Sequence, residues 1–166
     1  MTNLQNIEID LKSLENNEKA RHHLRFFRTA KGEYAEGDKF LGITVPQQRE
    51  IAKRYIDLDL NDLQVLIENE YHEFRLTAVI ILVYKYMRAK SEQEKQKIIN
   101  FYLKNTNHIN NWDLVDSSAE ILGQHYGENQ PEVIIHLCKS SILWEQRISI
   151  IATFYLIKQN KFDLTL

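Results

Sequence analysis

Residues 72–83 read HEFRLTAVIILV, a polar opening followed by an apolar run with helical spacing. Leu76, Val79, Ile80 and Val83 recur at intervals of three and four and so share one face of a 3.6-residue turn. The opening returns twice. His72-Glu73-Phe74-Arg75 is matched by Trp112-Asp113-Leu114-Val115 and by Trp144-Glu145-Gln146-Arg147, 40 and then 32 residues further on. That spacing is close to the period of helix-pair solenoids. A shorter helical pattern precedes each long one, so the predicted pairs are 61–69 with 71–88, 91–104 with 111–126, and 131–139 with 142–159. The last long helix carries its own apolar stripe in Ile148, Ile151, Ala152 and Tyr155. Two-helix units of this kind cannot bury such faces alone and must stack on their neighbours, which predicts an all-α solenoid with a concave groove. The acid after each lead residue (Glu73, Asp113, Glu145) suits the positive end of a helix.

Working outward, Leu4, Ile7, Leu11 and Leu14 predict an N-terminal helix and residues 17–29 a second one. The polar loop KGEYAEGD, bracketed by Gly32 and Gly37, ends that helix. Thr44 and Pro46 then open a third, which reaches about Ile56. Only 5 Gly and 2 Pro occur in 166 residues, too few for the tight turns of a sandwich or barrel, and no Gly-rich cluster marks a nucleotide-binding loop. The chain is 43% hydrophobic and 27% charged, the balance of a soluble globular protein. Its longest apolar runs are far short of a membrane span. A polar, acidic N-terminus unlike a signal peptide predicts a cytoplasmic location. One cysteine, Cys138, is read as a small core residue; no internal disulfide or cysteine-based zinc site is possible. The histidines lack metal-ligand spacing, so neither metal nor other cofactor is expected.

Charge is unevenly spread around the net value of −2. Lys19, Arg21, Arg25, Arg28 and Lys31 follow one another with no acid between them, whereas from Asn105 to Glu145 the only Lys or Arg is Lys139. Within that acidic stretch, Asp116 stands one turn into the predicted helix, four residues after Trp112 and therefore on the same face. Arg147 lies 31 residues beyond Asp116, near one repeat length, so the two residues are expected on adjacent helices. Two readings of the pair stand side by side: a salt bridge between repeats, or a carboxylate offered to the groove beside an aromatic wall.

Three segments carry a family resemblance: RFFRTAKGEYAEGDKFLGITVP at 25–46, NNWDLVD at 110–116 and LWEQRISI at 143–150. In order and spacing the chain resembles the AlkD-type DNA alkylation repair proteins, HEAT-like repeat DNA glycosylases. The resemblance implies a HEAT-like helical-repeat solenoid that hydrolyses the N-glycosidic bond of N3- and N7-alkylated purines in double-stranded DNA. It implies Asp116 as the catalytic carboxylate, Trp112 as the aromatic beside the lesion's sugar, and Arg147 as the organising cation. Arg25, Arg28, Lys31, Lys104 and Lys139 would hold phosphates. Family members continue for further helices, so residues 1–166 are expected to form a single HEAT-like domain, monomeric and without the family's last helices. The alternative is a non-catalytic HEAT-like module that binds DNA or a protein through the same groove.

Overall fold

The structure is a computed structural model and describes residues 2–165. These form α-helices throughout: α1 (Asn3–Ser13), α2 (Asn17–Phe26), α3 (Val45–Arg54), α4 (Leu60–Ile67), α5 (His72–Arg88), α6 (Glu92–Lys104), α7 (Trp112–Asp116), α8 (Glu120–Tyr126), α9 (Pro131–Cys138) and α10 (Leu143–Ile157), with a 3-10 turn at Thr106–His108. The only β pairing among the described residues is an isolated bridge between Lys39 and Tyr71. Among the described residues, no helix is long and apolar enough to cross a membrane. The chain divides into two compact units, Met1–Lys85 and Tyr86–Leu166.

In the N-terminal unit, side-chain caps set the helix starts. Thr2 and Gln5 form a capping box on α1, and Asn16 and Asp59 accept backbone N–H groups at the starts of α2 and α4. Pro46 occupies the first turn of α3, as its neighbour Thr44 predicts. Ile7 and Leu11 of α1, Ile51 and Ala52 of α3, and Leu63, Leu66 and Ile67 of α4 are buried. In α5 every residue from His72 to Leu82 is buried, more than the single stripe read from the spacing: Ala78–Leu82 is apolar on every side, and Glu73, Arg75 and Thr77 before it find hydrogen-bond partners inside.

Glu73 is not simply helix-start chemistry. Its buried carboxylate accepts the backbone N–H groups of Leu41 (2.9 Å), Gly42 (2.8 Å) and Ile43 (3.2 Å). It thereby satisfies an extended segment that has no sheet partner to do so. That segment crosses the start of α2 at Gly42, whose φ is +80° and where an added Cβ would come within 2.2 Å of the Asn16 carbonyl oxygen. Beside it, Asp38 pairs with Arg75 Nη2 (2.7 Å) and His72 Nδ1 (3.2 Å). Burial works against charge on Asp38, but the His72 hydrogen bond and the Arg75 charge outweigh it and hold the carboxyl below its usual range.

The C-terminal unit is organised around α10, which packs on α7, α8 and α9. Ile148, Ala152 and Leu156 form its buried edge, facing a core that includes Leu114, Val115, Leu122, Tyr126, Ile134 and Leu137. Its closest approach is to α8 at Gly123, where any side chain would begin 1.8 Å from the Ala152 carbonyl oxygen. The helix expected over 111–126 is broken. Ser117–Ala119 form a turn, with the ladder tightening to three-residue bonds at Ser118→Val115, Ile121→Ser118 and Leu122→Ala119. Ser118 explains the break: its hydroxyl bonds the Leu114 carbonyl (2.6 Å) and lies 3.0 Å from the Tyr102 hydroxyl, drawing the chain onto α6. Cys138 is exposed rather than a core residue: it is the last residue of α9, one turn beyond the buried Ile134, at the end of the helix.

Two outcomes follow from this packing. Gly123→Ala forces α8 off α10 and lowers stability by about 1–3 kcal/mol in denaturant melts, the usual scale of overpacking. His125, whose Nε2 lies 3.0 Å from Gln96 Oε1, has its pKa lowered by burial. The unfolded chain therefore takes up that proton first. The stability His125 contributes is present above the ordinary histidine value of about 6.5 and is lost as pH falls through the lower folded value. Imidazole NMR titration of His125 is expected to give a midpoint below 6.5; a midpoint above it contradicts the packing.

Candidate functional site

The segment Asn110-Asn111-Trp112 enters the core before α7 starts. Asn111 is fully buried and caps the helix, its Oδ1 accepting the Trp112 N–H at 2.8 Å. Its Nδ2 and the Asn110 Oδ1 are buried without a hydrogen-bond partner. Trp112 is the first residue of α7 and is half-buried; Asp113 turns back to cap its own neighbour, accepting the Leu114 N–H at 2.9 Å.

Asp116 is the last residue of this five-residue helix, not a mid-helix residue as the unbroken pattern predicted. A carboxylate at a helix C-terminus faces unpaired carbonyls and is electrostatically disfavoured there. Arg147, one turn into α10, offsets this. Its Nε donates to Asp116 Oδ1 (2.9 Å) and its Nη2 to Oδ2 (2.7 Å), a bidentate fork. The hydrogen bond to Asp116 raises the Arg147 pKa further above the arginine range, so this cation stays charged. The Asp116 side chain is 37% exposed and that of Arg147 40%, so the pair is open to solvent on one side.

Both carboxylate oxygens are engaged, yet each keeps a lone pair for another donor or for a positive centre. The arrangement can thus hold an anionic charge at a fixed position on the surface, four residues after Trp112 on the same helix, with its orientation set by a second helix. On α10, Leu143, Arg147, Ile150 and Phe154 follow the three- and four-residue spacing of one face, and the three apolar members are exposed. Arg147 is the only charged residue in that row.

The structure thus joins Asp116 to Arg147. Lys104 ends α6 and Lys139 follows α9; both are exposed, and neither forms an ion pair among the described residues. Arg25, Arg28 and Lys31 belong to the N-terminal unit, exposed at the end of α2 and in the turn after it, also without an ion pair among the described residues. Among the described residues, no group of three or more His, Cys, Asp or Glu side chains could hold a metal ion. Spacing alone did not reveal Asn111 or Glu145. The Glu145 carboxylate accepts the Thr106 hydroxyl (2.7 Å) and so ties the 3-10 turn to α10. Asn111 acts on its own neighbour, the Trp112 N–H, whereas the partner of Glu145 lies 39 residues away.

A solvated ion pair of this kind contributes little to folding. A double-mutant cycle with Asp116→Asn and Arg147→Met is expected to give a coupling below about 1 kcal/mol. A larger value would make the fork a structural clamp.

Two comparisons bear on the chain as a whole. A search of curated proteins returns no match. Residues 7–166 match a family described as DNA alkylation repair enzyme. Nearly the whole length is covered, the Trp112–Asp116 segment and Arg147 included. The chain belongs to the DNA alkylation repair enzyme family.

Proposed function

We propose that this protein is a HEAT-like repeat DNA glycosylase that hydrolyses the N-glycosidic bond of N3- or N7-alkylated purines in double-stranded DNA. The observation that carries this reading is the solvent-open Asp116 carboxylate, fixed bidentately by Arg147 at the end of the Trp112 helix. An alkylated purine already bears a positive charge. When the C1′–N bond breaks, its electron pair passes to the base, which leaves neutral and needs no general acid. The sugar is left as an oxocarbenium-like cation. Asp116 stabilises that cation through its fixed negative charge, and Trp112 offers a flat apolar surface to the deoxyribose. Water then adds to C1′ and releases its proton. Arg147 acts as a positioning residue, keeping the carboxylate oriented.

In this reading helix pairs stack into a solenoid whose groove holds the duplex, and the lesion is recognised through backbone and sugar contacts rather than in a deep base pocket. Lys104, Lys139, Arg25, Arg28 and Lys31 neutralise phosphates, giving affinity that falls with salt. The enzyme works as a cytoplasmic monomer without metal or other cofactor, and residues 1–166 act as one HEAT-like domain. One observation favours a second reading, a non-catalytic DNA- or protein-binding module: Arg147 already occupies both Asp116 oxygens, which reduces the charge available to a sugar cation.

Release of free base from DNA containing 7-methylguanine separates the two. Asp116→Asn is expected to slow release by about 100-fold or more, the scale of losing one preorganised electrostatic group, with duplex affinity little changed. No release by the wild type, or release indifferent to Asp116→Asn, supports the binding module.

A further inference from the structure

Past α10 the chain turns back on itself. Asn160 has a φ of +60°, the left-handed region that asparagine tolerates better than most side chains. The Lys161 N–H bonds the Leu156 carbonyl (3.0 Å) and the Asn160 N–H the Ile157 carbonyl (2.9 Å), the paired bonds of a helix-ending reversal. Lys161 also pairs with Glu128, in the turn before α9, and anchors the returning segment there. Leu164 and Thr165 then close one side of a cavity whose other walls are α9 and α10.

The cavity measures about 250 Å³. Its walls are aliphatic: Ile134 and Ile135 from α9, Ile150 from α10, and Leu164. Ser149 and Thr153 also line it, but each hydroxyl gives its proton to its own helix, to the Gln146 carbonyl (2.7 Å) and the Ile150 carbonyl (2.8 Å). Each keeps only lone pairs for an occupant, so an anionic group is disfavoured along that wall.

Charge enters at one place. Lys139, exposed just past the end of α9, lines the cavity and forms no ion pair among the described residues, and none of the described carboxylates lines it. Two nearby acids are engaged elsewhere, Glu128 by Lys161 and Glu145 by Thr106. An aliphatic chamber with a single unneutralised cation at one position fits a molecule with two unlike ends. At ~30 Å³ for each non-hydrogen atom, the space holds roughly eight of them.

We propose that this cavity binds a short aliphatic monoanion, a carboxylate on a chain of about six carbons, with its tail among Ile134, Ile135, Ile150 and Leu164 and its head at Lys139. The site lies within the C-terminal unit and needs neither Asp116 nor DNA. Lys139 is the one residue shared with the reading above, where it meets a phosphate.

Methyl NMR and calorimetry on the full chain, without DNA, test it with hexanoate, hexan-1-ol and hexylamine. Hexanoate should bind saturably with a Kd of about 1 mM or below. It should move the methyl signals of Ile134, Ile135, Ile150 and Leu164 and leave those of Ile7 and Ile51, in the N-terminal unit, where they are. The alcohol should bind more weakly, and the ammonium most weakly. Affinity should rise about fourfold per methylene from butanoate to hexanoate and level off by decanoate, once the cavity is full. Lys139→Gln should weaken hexanoate about fivefold, the upper range for an exposed charge pair, and leave the alcohol unchanged. Cys138→Phe, at an exposed position that lines the cavity, should fill it and abolish binding of both while the melting temperature holds.

Shifts spread over both units, equal affinity for hexylamine, a rise that continues past decanoate, or full binding by a folded Cys138→Phe variant would overturn the proposal. So would the absence of binding by the wild type. Base release plays no part in these measurements, so the glycosylase reading and this one can each fail without the other.

Discussion

The C-terminal unit depends on how closely α8 can lie on α10, and that distance is set where Gly123 meets the Ala152 carbonyl with no room for a methyl group. Helices separated by ordinary side chains would sit farther apart and slide more freely. Here the backbone contact fixes α10 along its length. Arg147 lies five residues before Ala152 on the same rigid helix, so its guanidinium arrives at one place. The turn at Ser117–Ala119 does the complementary work, ending α7 so that Asp116 stands at a helix terminus and within reach of that guanidinium.

Placing a carboxylate at a helix C-terminus is electrostatically unfavourable, and the bidentate arginine compensates for it. With both partners more than a third exposed, the pair adds little to stability, and that is its interest. Two helices, α7 and α10, meet at the surface to hold one carboxylate in a fixed orientation. In the N-terminal unit a buried carboxylate has the opposite task. Glu73 faces no solvent and serves three backbone donors of the segment after the polar loop.

Most helix positions were legible. Apolar periodicity is a property of each segment, and starts such as Asp59 before α4 and Ser91 before α6 are local chemistry. The unbroken helix over 111–126 was misread because periodicity persists through the turn: Val115, Ala119 and Leu122 are all buried, and the break comes from a hydroxyl hydrogen bond that leaves the apolar pattern untouched. Glu73 and Glu145 looked like ordinary acids of a first helical turn, since their partners lie 30 or more residues away. Cys138 was misassigned for a similar reason, its small apolar character being compatible with either side of α9.

By itself, the sequence determined an all-helical chain, its membership of the DNA alkylation repair family, and the presence of a tryptophan, an aspartate and an arginine spaced about one repeat apart. Those are matters of periodicity and motif, carried by neighbours along the chain. Only the tertiary structure decided that Asp116 ends its helix, that Arg147 grips both its oxygens, that Glu73 turns inward, and that Leu164 folds back beside Ile134 and Ile150. Each of these depends on which atoms of distant segments meet at hydrogen-bond or van der Waals distance, and linear spacing carries no record of that.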